Sequence, residues 1–247
     1  MNSDYNYIFL PVMTSTNDYL KNLFRDKPDI PEFTFVSTGF QTGGRGQRGN
    51  TWESQPGKNL MFSLLLLPSE LRANKSFVIS KIISISIVNV LSRYSSGFSI
   101  KWPNDIYWKD KKICGILIEN YVTQEYIDSS IIGIGINVNQ IKFISSAPNP
   151  VSLIQITEHD KNTEDLFHEV AGEIKNCYNQ YISGNYDTLD SIYTSLLYRG
   201  KGFYLYESQG RKFKAEITTV TPDGFIVLCE KDGNISRYAF KEVSFII

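Results

Sequence analysis

The chain has 247 residues, of which 42% are hydrophobic and 21% charged, and its 25 basic residues nearly balance its 26 acidic ones. This length suits one large domain, or one domain with a smaller one beside it. A formal net charge of −1 provides no basic footprint for DNA or RNA, so we expect no nucleic-acid partner.

The N-terminus and the cysteines indicate where the protein works. Residues 1–12 carry no basic segment ahead of a long apolar one, and the apolar runs at 60–67 and 82–90 are shorter than a membrane span. The three cysteines are widely spaced and form no CxxC pair, which predicts reduced thiols and no zinc site. We therefore expect a cytoplasmic protein with no membrane partner.

The first predicted elements are a strand at residues 7–12 and a helix that begins after a polar cluster. The cluster consists of Ser15, Thr16 and Asn17. One of these side chains is expected to cap the helix, because a helix N-terminus leaves backbone N–H groups without partners. A cap needs only one side chain, so the other two either meet solvent or face a ligand.

A glycine-rich loop at residues 41–52 lies between a strand predicted at 32–38 and a buried strand predicted at 59–67. Glycines let backbone N–H groups approach a ligand, and arginines suit phosphate or carboxylate oxygens. The loop therefore predicts an anion site, with a solvated hairpin as the alternative. Its glycines and arginines are Gly43, Gly44, Arg45, Gly46, Arg48 and Gly49.

Residues 77–91 are apolar around most of a helical circumference and predict a buried helix across one face of the sheet. Further along, Pro103 interrupts strand pairing, so we expect irregular backbone to present Lys101, Asn104 and Asp105. A β-hairpin follows at 106–119. Gly115 inside its second strand indicates either a flat ligand ring close to the backbone or a β-bulge.

The last part of the chain, from residue 128, predicts a strand, two helices and then several short strands. Residues 128–139 predict a strand with two glycines, but neither the dinucleotide pattern nor the P-loop pattern is present. Helices are predicted at 163–181 and 187–197. From residue 199, short alternating strands separated by turn signals predict a small barrel. The expected domains are residues 1–198 and residues 199–247.

Five motifs in order carry a family resemblance. They are Ser15-Thr16-Asn17, then Gly44-Arg45-Gly46 with Trp52 behind it, then Lys101-Trp102-Pro103-Asn104-Asp105, then Lys112 with Gly115, and Gly133-Ile134-Gly135-Ile136-Asn137. With these the sequence resembles the biotin protein ligases, which attach biotin to a lysine of carboxylase carrier domains. The resemblance implies an α+β fold, with a mixed β-sheet and packing helices in a class II synthetase-like biotin/lipoate ligase core, and a small C-terminal SH3-like β-barrel.

Family members that also repress transcription carry an N-terminal helix-turn-helix domain, and because the motifs here begin near Met1 we expect a short form without it. The implied reaction joins biotin and ATP into biotinyl-5′-adenylate, releases pyrophosphate, and then transfers biotin to a carrier lysine with release of AMP. The implied small molecules are biotin, ATP and Mg²⁺. The implied partner is a biotin carboxyl carrier domain, and a homodimer is possible. The alternatives are a lipoate protein ligase and a non-catalytic ligand-binding module.

The resemblance also implies roles for individual residues. The catalytic group is Lys112, Arg45 and Asp105, with Asp105 either contacting Mg²⁺ or accepting a proton from the incoming lysine. The biotin-binding group is Ser15, Thr16, Asn17, Gln41, Gly44, Arg45, Gly46, Gln47, Lys112 and Gly115. The nucleotide-binding group is Arg45, Arg48, Trp52, Lys101, Asn104, Asp105 and Asn137. Gln47 stands where many members have arginine, so retention of the adenylate is expected to rest on Arg45, Arg48 and Lys112.

Overall fold

The computed structural model of the protein describes residues 5–144 and 149–247, and of Arg48 it describes only the backbone. The strands in these ranges are β1 (Asn6–Met13), β2 (Thr34–Gln41), β3 (Leu60–Leu66), β4 (Phe98–Lys101), β5 (Asp105–Trp108), β6 (Lys111–Thr123), β7 (Tyr126–Ile136), β8 (Tyr204–Ser208), β9 (Arg211–Val220), β10 (Ile226–Glu230), β11 (Ile235–Tyr238) and β12 (Ser244–Phe245). The α-helices are α1 (Thr16–Asp26), α2 (Phe77–Leu91), α3 (Leu153–Thr157), α4 (Thr163–Tyr181) and α5 (Tyr186–Ser195).

A seven-stranded mixed sheet forms the centre of the larger part, in the order β1-β2-β3-β7-β6-β5-β4. Strands β1 and β2 are parallel, and the other neighbours in this sheet are antiparallel. The predicted α+β fold with a mixed sheet and packing helices is confirmed. The sheet order places β6 and β7, which carry the glycines of the last two motifs, beside one another near its middle.

The two faces of this sheet are covered differently. Helices α2 and α4 belong to the large apolar core on one face, which also includes Phe62, Ile132 and Ile136. Helix α1 covers the other face, where Leu20 packs with a small cluster of three strand residues, Val36, Leu65 and Ile131. The face under α1 is therefore less thickly covered, and it is the one on which the first polar cluster lies.

Helix α2 is buried along most of its length because the sheet, α4 and α5 surround it. In the described part of the chain, residues Ala73–Leu91 pass a length and composition test for a membrane span, with a mean hydropathy of 1.3, but 72% of that window is buried within the protein. A helix at the centre of a protein core has the same composition. The buried Lys81 of α2 pairs with Asp190 of α5 at 2.7 Å.

Strands β8 to β12 form a separate antiparallel sheet in the order β11-β10-β9-β8-β12. The predicted C-terminal β-rich segment is confirmed, and its last two strands are the short β11 and β12. The chain that enters this sheet is tied back to the large one, since Tyr198 N donates to Ile100 O at 2.8 Å and Ile100 N donates to Leu196 O at 2.8 Å. The division of the chain after residue 198 stays a prediction.

One short helix, α3, was not predicted. Ser152 and Gln155 form its capping box. The Ser152 side chain accepts from the backbone N–H of Gln155, and the Gln155 side chain accepts from the backbone N–H of Ser152. A serine followed three residues later by glutamine is a sequence signal for a helix start. Apolar periodicity alone cannot find a helix of five residues.

Candidate functional site

A cleft of about 340 Å³ lies between the centre of the large sheet and the C-terminal sheet. The motifs that are far apart in sequence meet here. The predicted site residues that line it are Ser15, Thr16, Asn17, Gln41, Arg45, Gly46, Gln47, Trp52, Lys101, Asn104, Asp105, Lys112 and Gly115. They come together because α1 packs over β3 and β7, and the glycine loop that follows β2 carries Trp52 over β6 and β7.

The polar cluster at the start of α1 forms one end of the cleft. Ser15 is the N-cap, and its Oγ accepts from Asp18 N at 3.4 Å. Thr16 N donates to Gln41 Oε1 at 2.8 Å, and the hydroxyl oxygens of Thr16 and Ser63 are 2.7 Å apart and hydrogen-bonded. The surplus polar groups are therefore held in a buried network at the wall of the cleft, and their contact with a ligand stays a prediction.

The glycine loop is held at both ends by backbone hydrogen bonds. Gly43 N donates to Thr14 O at 2.9 Å, and Trp52 N donates to Gly44 O at 2.9 Å. Gly44 lies so close to the backbone of Trp52 that an added Cβ would be 2.8 Å from Trp52 O. Gly44 thus shapes the base of the loop rather than the cleft surface, and its predicted biotin contact stays a prediction.

Two described side chains of the loop, Arg45 and Gln47, have different surroundings. Arg45 Nη2 pairs with Asp18 Oδ1 at 2.6 Å and with Glu119 Oε2 at 3.2 Å. Gln47 Oε1 is buried and has no hydrogen-bond partner within the described residues. The side chain of Arg48, predicted to bind nucleotide, lies outside the described residues.

Trp52 folds back from the end of the loop and lies over two glycines of the sheet. Gly115 and Gly135 are partners across β6 and β7. An added Cβ would be 3.0 Å from the Trp52 ring at Gly115 and 2.5 Å from it at Gly135. The flat ring that Gly115 admits in this structure is thus the indole of Trp52. A register shift in the β5–β6 pairing also occurs nearby, between Ile106 and Tyr107.

Lys112 and Asp105 form an ion pair at the opposite side of the cleft, with Lys112 Nζ 2.7 Å from Asp105 Oδ1. Both side chains are mostly buried, and the Lys112 ammonium is 5.9 Å from the centre of the Trp52 ring. The preceding Trp102–Pro103 bond is cis, and Asn104 Nδ2 donates to Ile116 O beside this pair. This hydrogen bond fixes Asn104 to β6, and Asp105, the acidic member of the ion pair, is the next residue along the chain.

Lys101 lies deeper, between the two sheets. Its ammonium is 5.2 Å from the centre of the Tyr107 ring and 5.1 Å from that of Phe245 in the C-terminal sheet. Burial lowers the pKa of Lys101, and the nearby Asp105 opposes that shift. The positive charge of Lys101 is therefore poorly solvated, so an incoming anion would stabilise it.

The cleft carries an excess of positive charge. Its described lining includes four cationic side chains and one carboxylate, namely Arg45, Lys101, Lys112 and Lys241 against Asp105. The whole chain has a net charge of −1. Arg45 also pairs with Asp18 and Glu119 just outside the lining, so the excess comes from the three lysines. A low-dielectric cleft with an excess of one sign of charge attracts anions.

Two groups of residues differ from the sequence prediction. Asn137 does not line the cleft, because its Nδ2 donates to Val151 O at 3.0 Å behind the sheet. Its nucleotide contact stays a prediction. The lining also contains residues of the C-terminal sheet that no motif indicated, which are Phe240, Lys241, Val243, Ser244 and Phe245. No local pattern connects them with the first half of the chain, so only the packing of the two sheets reveals them.

Comparison with known proteins identifies the same region. The model of the family described as Biotin/lipoate A/B protein ligase matches residues 9–137, which hold the predicted site residues on the chain. Two curated relatives are named "Bifunctional ligase/repressor BirA". The one from Bacillus subtilis is 36% identical over 135 residues, which are 54% of this chain and 40% of that protein. The one from Escherichia coli is 33% identical over 143 residues, 57% of this chain and 43% of that protein.

The matches to these relatives therefore span less than half of each relative's length. A solved structure described as biotin protein ligase from Aquifex aeolicus in complex with biotin and ATP is similar over 97% of both chains, with a TM-score of 0.75 and 26% sequence identity. The similarity to this structure extends over both sheets, whereas the family model ends at residue 137, directly after β7.

Proposed function

Since the chain belongs to the Biotin/lipoate A/B protein ligase family, we propose that it is an ATP-dependent biotin protein ligase. It activates biotin as biotinyl-5′-adenylate with release of pyrophosphate, and it transfers biotin to a lysine of a biotin carboxyl carrier domain with release of AMP. The observation that carries the proposal is the cationic cleft in which the five motifs meet. The first step joins a carboxylate to a polyphosphate, so the enzyme has to hold two anions in contact.

The biotin end of the proposed site is the network around α1. A ureido ring offers one carbonyl acceptor and two N–H donors, so it needs both kinds of partner. The hydroxyls of Ser15 and Thr16 and the amides of Asn17 and Gln41 supply both. Thr16 and Gln41 already bond to each other, through Thr16 N and Gln41 Oε1 at 2.8 Å, so their positions are fixed before a ligand arrives.

The reacting end is the Lys112–Asp105 pair. In the first step a biotin carboxylate oxygen forms a bond to the α-phosphorus, and the bond from that phosphorus to the pyrophosphate oxygen breaks. Lys112 offers a flexible point charge to the oxygens among which negative charge moves. Asp105 pairs with the Lys112 ammonium at 2.7 Å, so this charge already lies in the cleft before the substrates bind.

In the second step the amine of the carrier lysine attacks the carbonyl carbon of the mixed anhydride, and AMP leaves. The attacking nitrogen loses a proton in this step, and Asp105 is a carboxylate in the right part of the cleft to accept it. Closure of the glycine loop over the intermediate excludes water, which would otherwise hydrolyse it. Trp52 at the end of that loop covers the glycines of the sheet floor.

Mg²⁺ enters as part of the nucleotide substrate. The described residues contain no group of three or more His, Cys, Asp or Glu side chains that could hold a metal ion. Mg²⁺ commonly keeps several waters and is bound through one or two carboxylates together with substrate phosphates. Asp105, with ATP oxygens, fits that manner of binding, which is the alternative to its role as proton acceptor. We place the reaction in the cytoplasm because all three cysteines are free.

The test measures biotin transfer directly. The protein is incubated with ATP, Mg²⁺, biotin and a purified biotin carboxyl carrier domain, and the mass of the carrier is read. We expect the addition of one biotin, and Lys112→Ala should slow it by about 10²–10³-fold because a charge that stabilises the transition state is lost. Lys111→Ala is the matched control, since Lys111 is the adjacent lysine and is exposed.

Other outcomes reassign the protein. Carrier modification with lipoate and none with biotin would make it a lipoate ligase. If neither acid is transferred and neither supports pyrophosphate exchange with ATP, the protein is a ligand-binding module and the proposed activity is wrong.

A further inference from the structure

Glu119 on β6 contacts two residues of the proposed biotin site and belongs to none of the five motifs. Its Oε2 accepts from Asn17 Nδ2 at 2.8 Å and from Arg45 Nη2 at 3.2 Å. Asn17 begins α1 and Arg45 belongs to the glycine loop, so one carboxylate joins two segments that are distant in sequence. The Glu119 side chain is 27% exposed, less than the 45% of Asp18, the other carboxylate on Arg45.

The orientation of the Asn17 amide depends on this contact. Asn17 is buried, and its Oδ1 accepts from Ser63 Oγ at 2.5 Å while its Nδ2 donates to Glu119. A carboxylate can only accept, so the amide nitrogen has to face Glu119. Without the carboxylate, the amide loses the partner that distinguishes its two ends, because a serine hydroxyl can donate or accept.

The position of Arg45 also depends on it. The guanidinium lies against Asp18 and Glu119, which ties the glycine loop to α1 and to β6 at the same point. An exposed ion pair contributes little by itself. Here the pairs restrain a loop with four glycines, whose ordering is entropically costly.

We propose that Glu119 is a positioning residue, which orients the Asn17 amide and, with Asp18, holds Arg45 at the wall of the cleft. The inference rests on the proposed function in one respect, namely that biotin is the ligand of this wall. Glu119 itself does not line the cleft among the described residues. It acts through Asn17 and Arg45.

The first experiment compares three substitutions by calorimetric titration with biotin and by steady-state kinetics. Glu119→Ala removes both contacts and should weaken biotin binding by about tenfold or more, which corresponds to the loss of a hydrogen bond to a charged group. The KM for ATP should rise as well, because Glu119 also holds Arg45, which is assigned to the nucleotide-binding group. Glu119→Gln retains an acceptor for Asn17 but can also donate and carries no charge for Arg45, so it should recover only part of the affinity. Asp18→Ala removes a contact with Arg45 and none with the Asn17 amide, so its biotin affinity should stay within about threefold of that of the natural protein.

The second experiment needs no ligand. Trypsin cleaves after Arg45 or Arg48, and the initial rate of cleavage at residues 45–48 reports how firmly the loop is held. Both Glu119→Ala and Asp18→Ala should raise this rate several-fold, because each removes a carboxylate from Arg45. Glu125→Gln is the control, since this exposed carboxylate pairs with Arg72 elsewhere. Circular dichroism confirms that each variant is folded.

The two experiments separate the possible failures. If the natural protein binds no biotin, the proposed function fails, and the cleavage rates still decide whether Glu119 positions the loop. If the natural protein binds biotin and Glu119→Ala alters neither the affinity nor the cleavage rate, the role of Glu119 is overturned.

Discussion

Three glycines of the central strands make room for side chains that come from elsewhere. Gly115 and Gly135 lie under Trp52, and Gly133 lies under Asn17, whose Oδ1 an added Cβ would overlap. In the described structure these glycines do not have positive φ angles, so backbone freedom is not the reason for their presence. Because these glycines have no side chain, the side chains of Trp52 and Asn17 can lie directly against the backbone of the sheet. A glycine within a strand often marks such a close approach.

This explanation predicts opposite effects for two glycine-to-alanine substitutions. Gly133→Ala should destabilise the protein by about 1–3 kcal/mol, because the new methyl group displaces the buried Asn17. Gly172→Ala in the exposed part of α4 should stabilise the protein by about 0.5–1 kcal/mol. Apart from its own helix backbone, no atom lies within 4 Å of the added Cβ, and alanine reduces the conformational freedom of the unfolded chain. Urea unfolding measures both. A stable Gly133→Ala variant with full biotin affinity would contradict the interpretation.

At the scale of elements, a buried glutamine connects the exit of the glycine loop to the chain that follows β7. Gln140 Oε1 accepts from Asn59 Nδ2 at 2.7 Å and from Gln55 N at 3.0 Å. Its Nε2 donates to Glu53 Oε1 at 3.0 Å and to Lys142 O at 2.9 Å. Four groups from three segments thus converge on one fully buried amide. The segment that carries Trp52 into the cleft is anchored here.

We expect Gln140→Leu to destabilise the protein by about 2–3 kcal/mol, because a similar volume remains while several buried polar groups lose their partner. Amide hydrogen exchange of residues 53–55 should accelerate more than that of β3. The control is Asn89→Ala, which removes an exposed amide that bonds to Glu173 and should change stability by less than about 0.5 kcal/mol. Unchanged exchange at residues 53–55 would show that the loop exit has another anchor.

At the scale of the whole molecule, the cleft exists because the C-terminal sheet packs against the large one. Trp102 Nε1 donates to Gly224 O at 2.9 Å, and its ring meets Phe240 edge to face. Arg199 Nη1 donates to Ile246 O at 2.7 Å. These contacts bring Phe245 over Lys101, so the burial of that lysine is a consequence of the packing of the two sheets.

The lowered pKa of Lys101 predicts a pH dependence of stability. The unfolded chain binds this proton more tightly than the folded protein does, so stability rises with pH from the folded pKa towards the unfolded value near 10.5. Lys101→Met should therefore be more stable than the natural protein at pH 7, and the gain should shrink as the pH rises to 10. It should also raise the KM for ATP, because a cation of the cleft is lost.

Urea unfolding at the two pH values, with pyrophosphate exchange at pH 7, measures these effects. Lys109→Met, at an exposed lysine 4.4 Å from the Trp108 ring, is the surface comparison. A stability difference between Lys101→Met and the natural protein that stays constant from pH 7 to pH 10 would be inconsistent with burial as the cause.

The sequence by itself determined the local elements and the chemistry of the motifs. The predicted helix at 77–91 agrees with α2, and the one at 163–181 agrees with α4, because periodic apolar residues specify a helix through interactions between near neighbours. The family resemblance indicated most of the cleft lining, since each motif is a short run whose residue types already state its chemistry. The helix cap at Ser15 was also predictable, because its partner, Asp18 N, lies only three residues away.

Only the tertiary structure decided which distant residues complete the site. Glu119 is 102 positions from Asn17, Gln140 is 81 positions from Asn59, and no pattern in either neighbourhood signals the contact. The sheet order β1-β2-β3-β7-β6-β5-β4 and the packing of the C-terminal sheet create these contacts. A short motif specifies its own backbone and chemistry, whereas a partner from another strand is specified by the cooperative packing of the whole chain.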